Sequence, residues 1–267
     1  MAINKEPEKG STLITGASSG IGKELARVFA QKGHPLVLVA RDEPRLDQLA
    51  NELRTAYGVG VEVVPQDLSG EGAVRKVVNR LEQKSIVVDI LVNNAGFDVY
   101  GNFWETDLAS ELQMIRVNQV ALTELCKYLL GGMRERGGGK ILNVGSTGSF
   151  IPTPFNAVYS ATKAYVLSFS ESLAEELRGS GVTVTVLCPG ATRTEFQQRA
   201  GITSARLLKF GLMDAKSVAE SGYRGVMKGK RIVVPGFFNK IQVFTTRLLP
   251  RSLMTRIAKS MLAPGRS

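Results

Sequence analysis

Tyr159 and Lys163 stand four residues apart in "AVYSATKAYVLSFS", residues 157–170. On a helix that spacing stacks the two side chains on one face. Left alone, a phenol and an ammonium lose their protons only near pH ~10 and ~10.4. Held together, the ammonium favours the phenolate and lowers the phenol's pKa. Such a pair can give or take a proton near neutral pH, where a free tyrosine is a poor base. The chain holds one histidine, His34, so the commonest side chain for that work is scarce. A surface helix on which a lysine happens to follow a tyrosine would read the same way. The elements around the pair have to decide.

Short apolar, β-branched runs recur along the chain: "STLIT" (11–15), "PLVLVA" (35–40), "VEVVP" (61–65), "DILVNNA" (89–95), "KILNV" (140–144), "VTVTVLC" (182–188) and "RIVV" (231–234). Most are nearly continuous rather than alternating, as in strands buried on both faces. Helical stretches such as "GKELARVFAQKG" and "AVRKVVNRLEQK" lie between them, and Gly33 and Gly58 follow two helices where a stop is expected. Strands alternating with helical crossovers predict an α/β, doubly wound (Rossmann-type) parallel sheet of about seven strands with helices on both faces. With no internal repeat and no linker, the 267 residues read as a single domain.

"LITGASSGIGKELA" reads as the first strand, a glycine turn and a helix start. Gly16, Gly20 and Gly22 permit a tight turn and close approach of the backbone to a phosphate, and the helix N-terminus supplies free N–H groups. A triphosphate loop of the form G-x-x-x-x-G-K-[ST] is excluded, because Ala17 stands at its first glycine and Glu24 at its Ser/Thr. The common G-x-G-x-x-G fingerprint is absent too, since the spacing is G-x-x-x-G-x-G.

That spacing (Thr15 to Gly22), "NNAG" at 93–96, Asn118 on the helical stretch that follows, Ser146 thirteen residues before Tyr159, Tyr159-x-x-x-Lys163 and "PG" at 189–190 occur in that order. Together they resemble the classical short-chain dehydrogenase/reductase family over residues 10 to about 235. The resemblance implies an oxidoreductase that moves a hydride between a nicotinamide and a ketone or secondary alcohol. It makes Asn118, Ser146, Tyr159 and Lys163 the catalytic set. Tyr159 would be the proton donor or acceptor. Lys163 would acidify it and hydrogen-bond the nicotinamide ribose. Ser146 would donate to the substrate oxygen, and Asn118, on a kinked helix, would hold a water linking Lys163 to solvent as a proton relay. A turn cap in "GSTGS" is the plain alternative for Ser146, and a packing role the alternative for Asn118.

The same resemblance places Gly16, Gly20 and Gly22 at the pyrophosphate, with Ile21 among the cofactor-binding residues and Ser18 and Ser19 able to add hydroxyls beside a 2′-phosphate. It sets Asp67 and Leu68 at the adenine, and Asn94, Ala95 and Gly96 beside the adenine ribose. Pro189, Gly190 and Thr192 fall at the nicotinamide, with Thr192 on its amide. Residues 191–215 correspond to a substrate lid, and a homodimer or homotetramer is the implied assembly. Cofactor choice rests on the end of the second strand. Arg41 follows Ala40, and a guanidinium there can clamp a 2′-phosphate, whereas users of NAD carry an acid at the position of Ala40. Asp42 lies twenty residues after Gly22 and competes for the ribose. NADP(H) is therefore expected over NAD(H).

Phe196, Ile202, Leu207, Leu208, Phe210 and Met213 offer an apolar ceiling. Phe97, Tyr100, Phe150, Ile151, Pro154 and Phe155 offer an opposite wall. A bulky, mostly apolar carbonyl compound is the expected substrate. Two rivals stand beside a reductase. A catalytically silent nucleotide-binding regulator is disfavoured by the intact four-residue set. A nucleotide-sugar epimerase or dehydratase is disfavoured by the glycine spacing.

Net charge is +10, and it lies in the tail: residues 216–267 hold eleven Lys/Arg and one acid, Glu220, while residues 1–215 hold 23 of each sign. A neutral body with a basic tail does not read as a nucleic-acid binder. One His and two separated cysteines give no metal-ligand spacing, and Cys126 and Cys188 read as reduced, buried thiols. The N-terminus "MAINKEPEKG" lacks the apolar stretch of a signal peptide, and no run spans a membrane, so a cytoplasmic protein is expected. Residues 237–267 form a basic extension. In "LPRSLMTRIAKSMLAP" the residues Leu253, Met254, Ile257, Ala258 and Met261 are expected on one apolar face, with Arg251, Arg256 and Lys259 opposite. Packing of that face on the protein is the favoured reading over contact with anionic lipid, since five apolar positions are too few for firm anchoring alone.

Overall fold

The computed structural model describes residues 10–200 and 211–263. Each apolar run becomes a strand: β1 (Ser11–Thr15), β2 (Leu36–Ala40), β3 (Val61–Pro65), β4 (Val88–Asn93), β5 (Gly139–Val144), β6 (Val182–Leu187) and β7 (Ile232–Val233). They form one sheet, parallel throughout, in the order β3-β2-β1-β4-β5-β6-β7. "RIVV" shortens to two residues because β7 is an edge strand, registered only against Val186 and Leu187 of β6.

Strand alternation sorts the core into two layers. Leu13, Val37, Val39 and Ile141 point to one face, against α3 (Ala73–Gln83), α5 (Leu122–Glu135) and α6 (Ala157–Glu176). Ile14, Leu36, Leu38 and Leu142 point to the other, against α1 (Gly20–Gln31), α2 (Glu43–Tyr57) and α8 (Ala215–Met227). All five residues of β2 are buried, which explains its unbroken apolar run. Chain order reverses at β1, whose neighbours are β2 and β4. The crevice at the carboxyl ends of strands at such a reversal is where this architecture binds ligands.

The helix carrying Asn118 is interrupted where the resemblance implies a kink. α4 (Leu108–Ile115) passes into a π-helical turn, Arg116–Ala121, before α5 resumes. A short helix, α7 (Phe196–Arg199), follows β6. After β7 come α9 (Phe237–Thr245) and α10 (Arg251–Leu262). The expected apolar face of α10 is corrected. Met254, Ala258 and Leu262 are buried at successive turns, while Leu253 and Ile257 stay exposed and Met261 lies between. The inward stripe is rotated from the expected one because Leu262 packs on Tyr100 and Phe155. Among the described residues no helix is long and apolar enough to cross a membrane.

Candidate active site

The site grows from the carboxyl ends of β1, β4 and β5. Gly16 takes φ +65°, a left-handed conformation that an L side chain rarely adopts. At Gly22 the reason is space, because a Cβ there would overlap the Gly16 carbonyl oxygen. The turn therefore packs α1 directly on itself. Ser19, at the N-cap of α1, makes no side-chain cap, so the first N–H groups of the helix remain available. Thr15 knots this turn to β4. Its hydroxyl accepts hydrogen bonds from the Asn94 and Ala95 N–H groups at 3.0 and 2.9 Å. The Asn94 amide donates to the carbonyls of Thr15 and Gly16 at 2.9 and 3.2 Å. Ser18, Gly20 and Ile21 lie in the same turn, and Ile21 packs against the core beneath it. A cradle that excludes side chains and presents unclaimed N–H groups fits a dinucleotide pyrophosphate.

Lys163 Nζ is buried and donates to the Val144 carbonyl at 2.9 Å, at the end of β5. It lies 5.7 Å from the centre of the Tyr159 ring. A Cβ at Gly96 would stand 3.4 Å from that nitrogen, so the "NNAG" loop runs directly over it. The Tyr159 ring faces Phe196 at 5.8 Å between ring centres. Burial pulls the Lys163 ammonium down to about 8, against the raising pull of Cys188 and Asp98. Burial also raises the Tyr159 phenol above its ordinary range, the negative charge of Asp98 adds to that, and the Ser146 hydroxyl opposes it. The expected acidification draws on Lys163 together with the positive charge of an oxidised nicotinamide, whereas burial and Asp98 push the phenol the other way. Loss of water around the phenol outweighs its polar neighbours.

Ser146 follows β5 and caps the 3₁₀ turn Thr147–Phe150, its Oγ accepting from the Gly148 N–H at 3.0 Å. The turn-cap alternative therefore describes the molecule. It leaves the hydroxyl proton free to donate elsewhere. Asn118 sits in the π turn, buried to 1% exposure. Its side chain exchanges bonds with the Phe97 backbone at 3.2 and 3.1 Å and donates to Thr162 Oγ1 at 3.0 Å. A direct tie to Lys163 is not among those bonds. Asn118 fastens the loop after β4 to α6, between Tyr159 and Lys163. Isolated π turns inside α-helices are frequent at functional sites.

Sequence reading passed over Asp98, two residues beyond "NNAG". It is buried, and it accepts a hydrogen bond from Asn156, the residue that opens α6 one turn before Tyr159. Asp98 Oδ1, Asn156 Oδ1 and Glu111 Oε2 are buried without hydrogen-bond partners. Loss of water is the main reason the Asp98 carboxyl is pushed up to about 7, with Glu111 adding to it, while the Val99 N–H, Lys163 and Asn156 hold it down. The sequence signal was available: a carboxylate set among Phe97, Val99 and Tyr100.

At the other end of the crevice, Arg41 Nη1 lies 3.9 Å from Asp67, and both side chains are exposed. Asp67 is braced by the Ser69 N–H and hydroxyl at 2.9 and 2.8 Å, and Leu68 beside it is buried. Asp42 is occupied otherwise, since it caps α2 by accepting from the Arg45 N–H at 3.1 Å. Arg45 reaches across to Glu195 at 2.9 Å, joining the start of α2 to the segment after β6. There Pro189 accepts from the Thr147 N–H, and Asn239 fills the space beside Gly190. Thr192 donates to the Gly190 carbonyl at 2.9 Å, which keeps its oxygen lone pairs open. Of the expected apolar lining, Phe196 meets Tyr159, and Tyr100 meets Phe155 at 6.1 Å. Ile202, Leu207, Leu208 and Phe210 lie outside the described residues.

The family model described as "short chain dehydrogenase" matches residues 11–204. A short-chain dehydrogenase from Sphingobium yanoikuyae, solved in complex with NADPH, is 36% identical and superposes with a TM-score of 0.80, covering 90% of this chain and 94% of that one. The bulky-bulky ketone specific alcohol dehydrogenase from Comamonas testosteroni is 32% identical, with a TM-score of 0.76 and coverage of 91% and 94%. Among curated proteins, the ketoacyl reductase HetN of Nostoc sp. is 32% identical over 240 residues, 90% of this chain and 82% of that protein. With the glycine turn, the "NNAG" loop and the Tyr159–Lys163 helix in place on a seven-stranded parallel sheet, the chain belongs to the short-chain dehydrogenase/reductase family.

Proposed function

We propose that the protein is an NADP(H)-dependent reductase of bulky, mostly apolar ketones, able to oxidise the corresponding secondary alcohols. The observation that carries this reading is the meeting of Tyr159, Lys163 and Ser146 at the carboxyl end of β5, beside the glycine turn and against Phe196. A bound nicotinamide supplies or accepts the hydride. In reduction Tyr159 gives its proton to the developing alkoxide. Ser146, whose oxygen already accepts from Gly148, turns its hydroxyl proton to the same oxygen. Lys163, anchored on Val144, holds positive charge beside the phenol and the ribose. Asn118 keeps the loop and α6 in register so that a water can reach Lys163.

Arg41 supports NADP(H), because its exposed guanidinium at the end of β2 makes only a long ion pair with Asp67, at 3.9 Å. Asp42 is spent on the cap of α2 and on Arg45, at 3.3 Å, which removes the acid that would favour NAD. Substrate class follows from the apolar lining, and it agrees with the ketone-specific relative. The test is oxidation of NADPH and of NADH, followed side by side, over a panel of small, aryl-alkyl and doubly bulky ketones. Turnover with NADPH on the bulky ketones, lost in Tyr159→Phe, is expected. Preference for NADH, or turnover confined to small aldehydes, would overturn the reading.

A further inference from the structure

We propose that α9 and α10 form a docking surface for anionic lipid, on which the protein sits at the face of a bilayer without crossing it. No residue of α9 is buried. Phe237, Phe238, Ile241 and Phe244 recur at the spacing of one helix face, and the first two are 72% and 84% exposed. The turn that follows exposes Leu248 and Leu249, and α10 adds the outward pair Leu253 and Ile257. These are eight of the seventeen large apolar side chains exposed among the described residues, gathered into 21 consecutive positions. A single helix with five apolar positions makes a weak anchor, but two consecutive helices and their turn supply the second signal that firm binding requires.

Charge identifies the occupant. Lys240, Arg247, Arg251, Arg256 and Lys259 accompany the apolar side chains, and the chain holds no acid after Glu220. A second copy meeting the same surface across a two-fold axis would set cations against cations with no acid to pair them. A bilayer with anionic headgroups supplies the missing charge along the whole stretch, and each basic side chain near such a surface adds to the attraction. It accepts protruding Phe, Leu and Ile in any arrangement, while the long basic side chains lie along the interface. A protein partner would need a fitted groove. The inner stripe of α10, Met254, Ala258 and Leu262, fastens the surface to the body, and Tyr100 donates to the Leu262 carbonyl beside Phe155.

The proposal stands apart from the reaction assigned above and is tested on the full chain by co-sedimentation with vesicles. Binding is expected to phosphatidylcholine vesicles that contain phosphatidylglycerol, weak to phosphatidylcholine alone, and released near 1 M salt, where charge attraction is screened within about 3 Å. Phe238→Asp with Phe244→Asp should cut partitioning by about tenfold or more at an unchanged melting temperature. Should that variant fail to fold, Lys240→Gln with Arg247→Gln and Arg251→Gln should remove most of the salt-sensitive binding. No sedimentation with anionic vesicles at low salt, or binding unchanged in the folded variants, would overturn the proposal. So would a variant that turns a lipid-free dimer into a monomer, because the surface would then belong to a second copy.

Discussion

At the scale of single residues, the site separates groups that react from groups that set charge. Tyr159→Phe should leave the fold and cofactor binding intact while kcat falls by roughly 10²-fold or more, measured by steady-state kinetics beside cofactor titration. Arg41→Ala should weaken NADPH by about 1.5–3 kcal/mol, the scale of a charge-assisted hydrogen bond, and leave NADH almost untouched. Equal losses for both cofactors would end Arg41's role in the choice. Asp98 makes a third case, and its sign follows from its surroundings. Its folded pKa, about 7, lies above the unfolded value near 3.9, so the folded state holds the proton more tightly. Stability from that proton is present below about pH 4 and is lost as pH rises through about 7. Asp98→Asn keeps the shape without the charge. Wild type should therefore lose more melting temperature than the variant between pH 5 and pH 8. Because the Asp98 charge raises Tyr159, the rising limb of alcohol oxidation should also move to lower pH in the variant. Parallel melting curves and an unmoved limb would reduce Asp98 to a packing residue.

Elements were legible in the sequence to the degree that burial forced their pattern. Continuous runs such as "LVLVA" announced strands covered on both faces, and each of the seven appeared within a few residues of its expected place. The glycine turn was legible because a side chain at Gly22 has nowhere to go. At Asn118 the resemblance implies a kink, but one Asn in a helical stretch does not reveal that the kink takes the form of a π turn, Arg116–Ala121. Asp98 was missed for a related reason. Its apolar neighbours Phe97, Val99 and Tyr100 hint at burial, but the side chain that meets it there, Asn156, lies 58 residues away. α10 was found as a helix but turned to the wrong stripe, because Leu253 and Ile257 look as apolar in sequence as Met254 and Leu262, and only Tyr100 and Phe155 decide between them. Removing residues 250–267 should uncover that wall. Thermal unfolding should then shift down by several degrees, at about 2–4 °C per kcal/mol for a chain of this size. An unchanged melting temperature would show that α10 contributes no stability.

The whole molecule is polar in charge and in assembly. A neutral body of 215 residues is followed by a cationic stretch that begins in α8 and runs past β7 through α9 and α10. The strand order, β3-β2-β1-β4-β5-β6-β7, carries a further consequence for how the chain comes off the ribosome. Each new strand joins an edge that already exists, and no later strand has to be inserted between two earlier ones. The unit β3-β2-β1 can pair once Pro65 has emerged, whereas Asn94 and Ala95, which tie the glycine turn to β4, come later, and Tyr159 and Lys163 later still. Until Val88–Asn93 arrives, the far edge of β1 is an open template for mispairing. Nascent chains of which residues 70 to 85 are the last to have emerged should therefore protect the amides of β2 and β3 from hydrogen exchange while recruiting a holding chaperone, and chains with residue 100 clear of the ribosome should release it. The nucleotide cradle is thus expected to close only when β4 docks on β1, and the wait for that strand is the interval in which the chain is most open to aggregation.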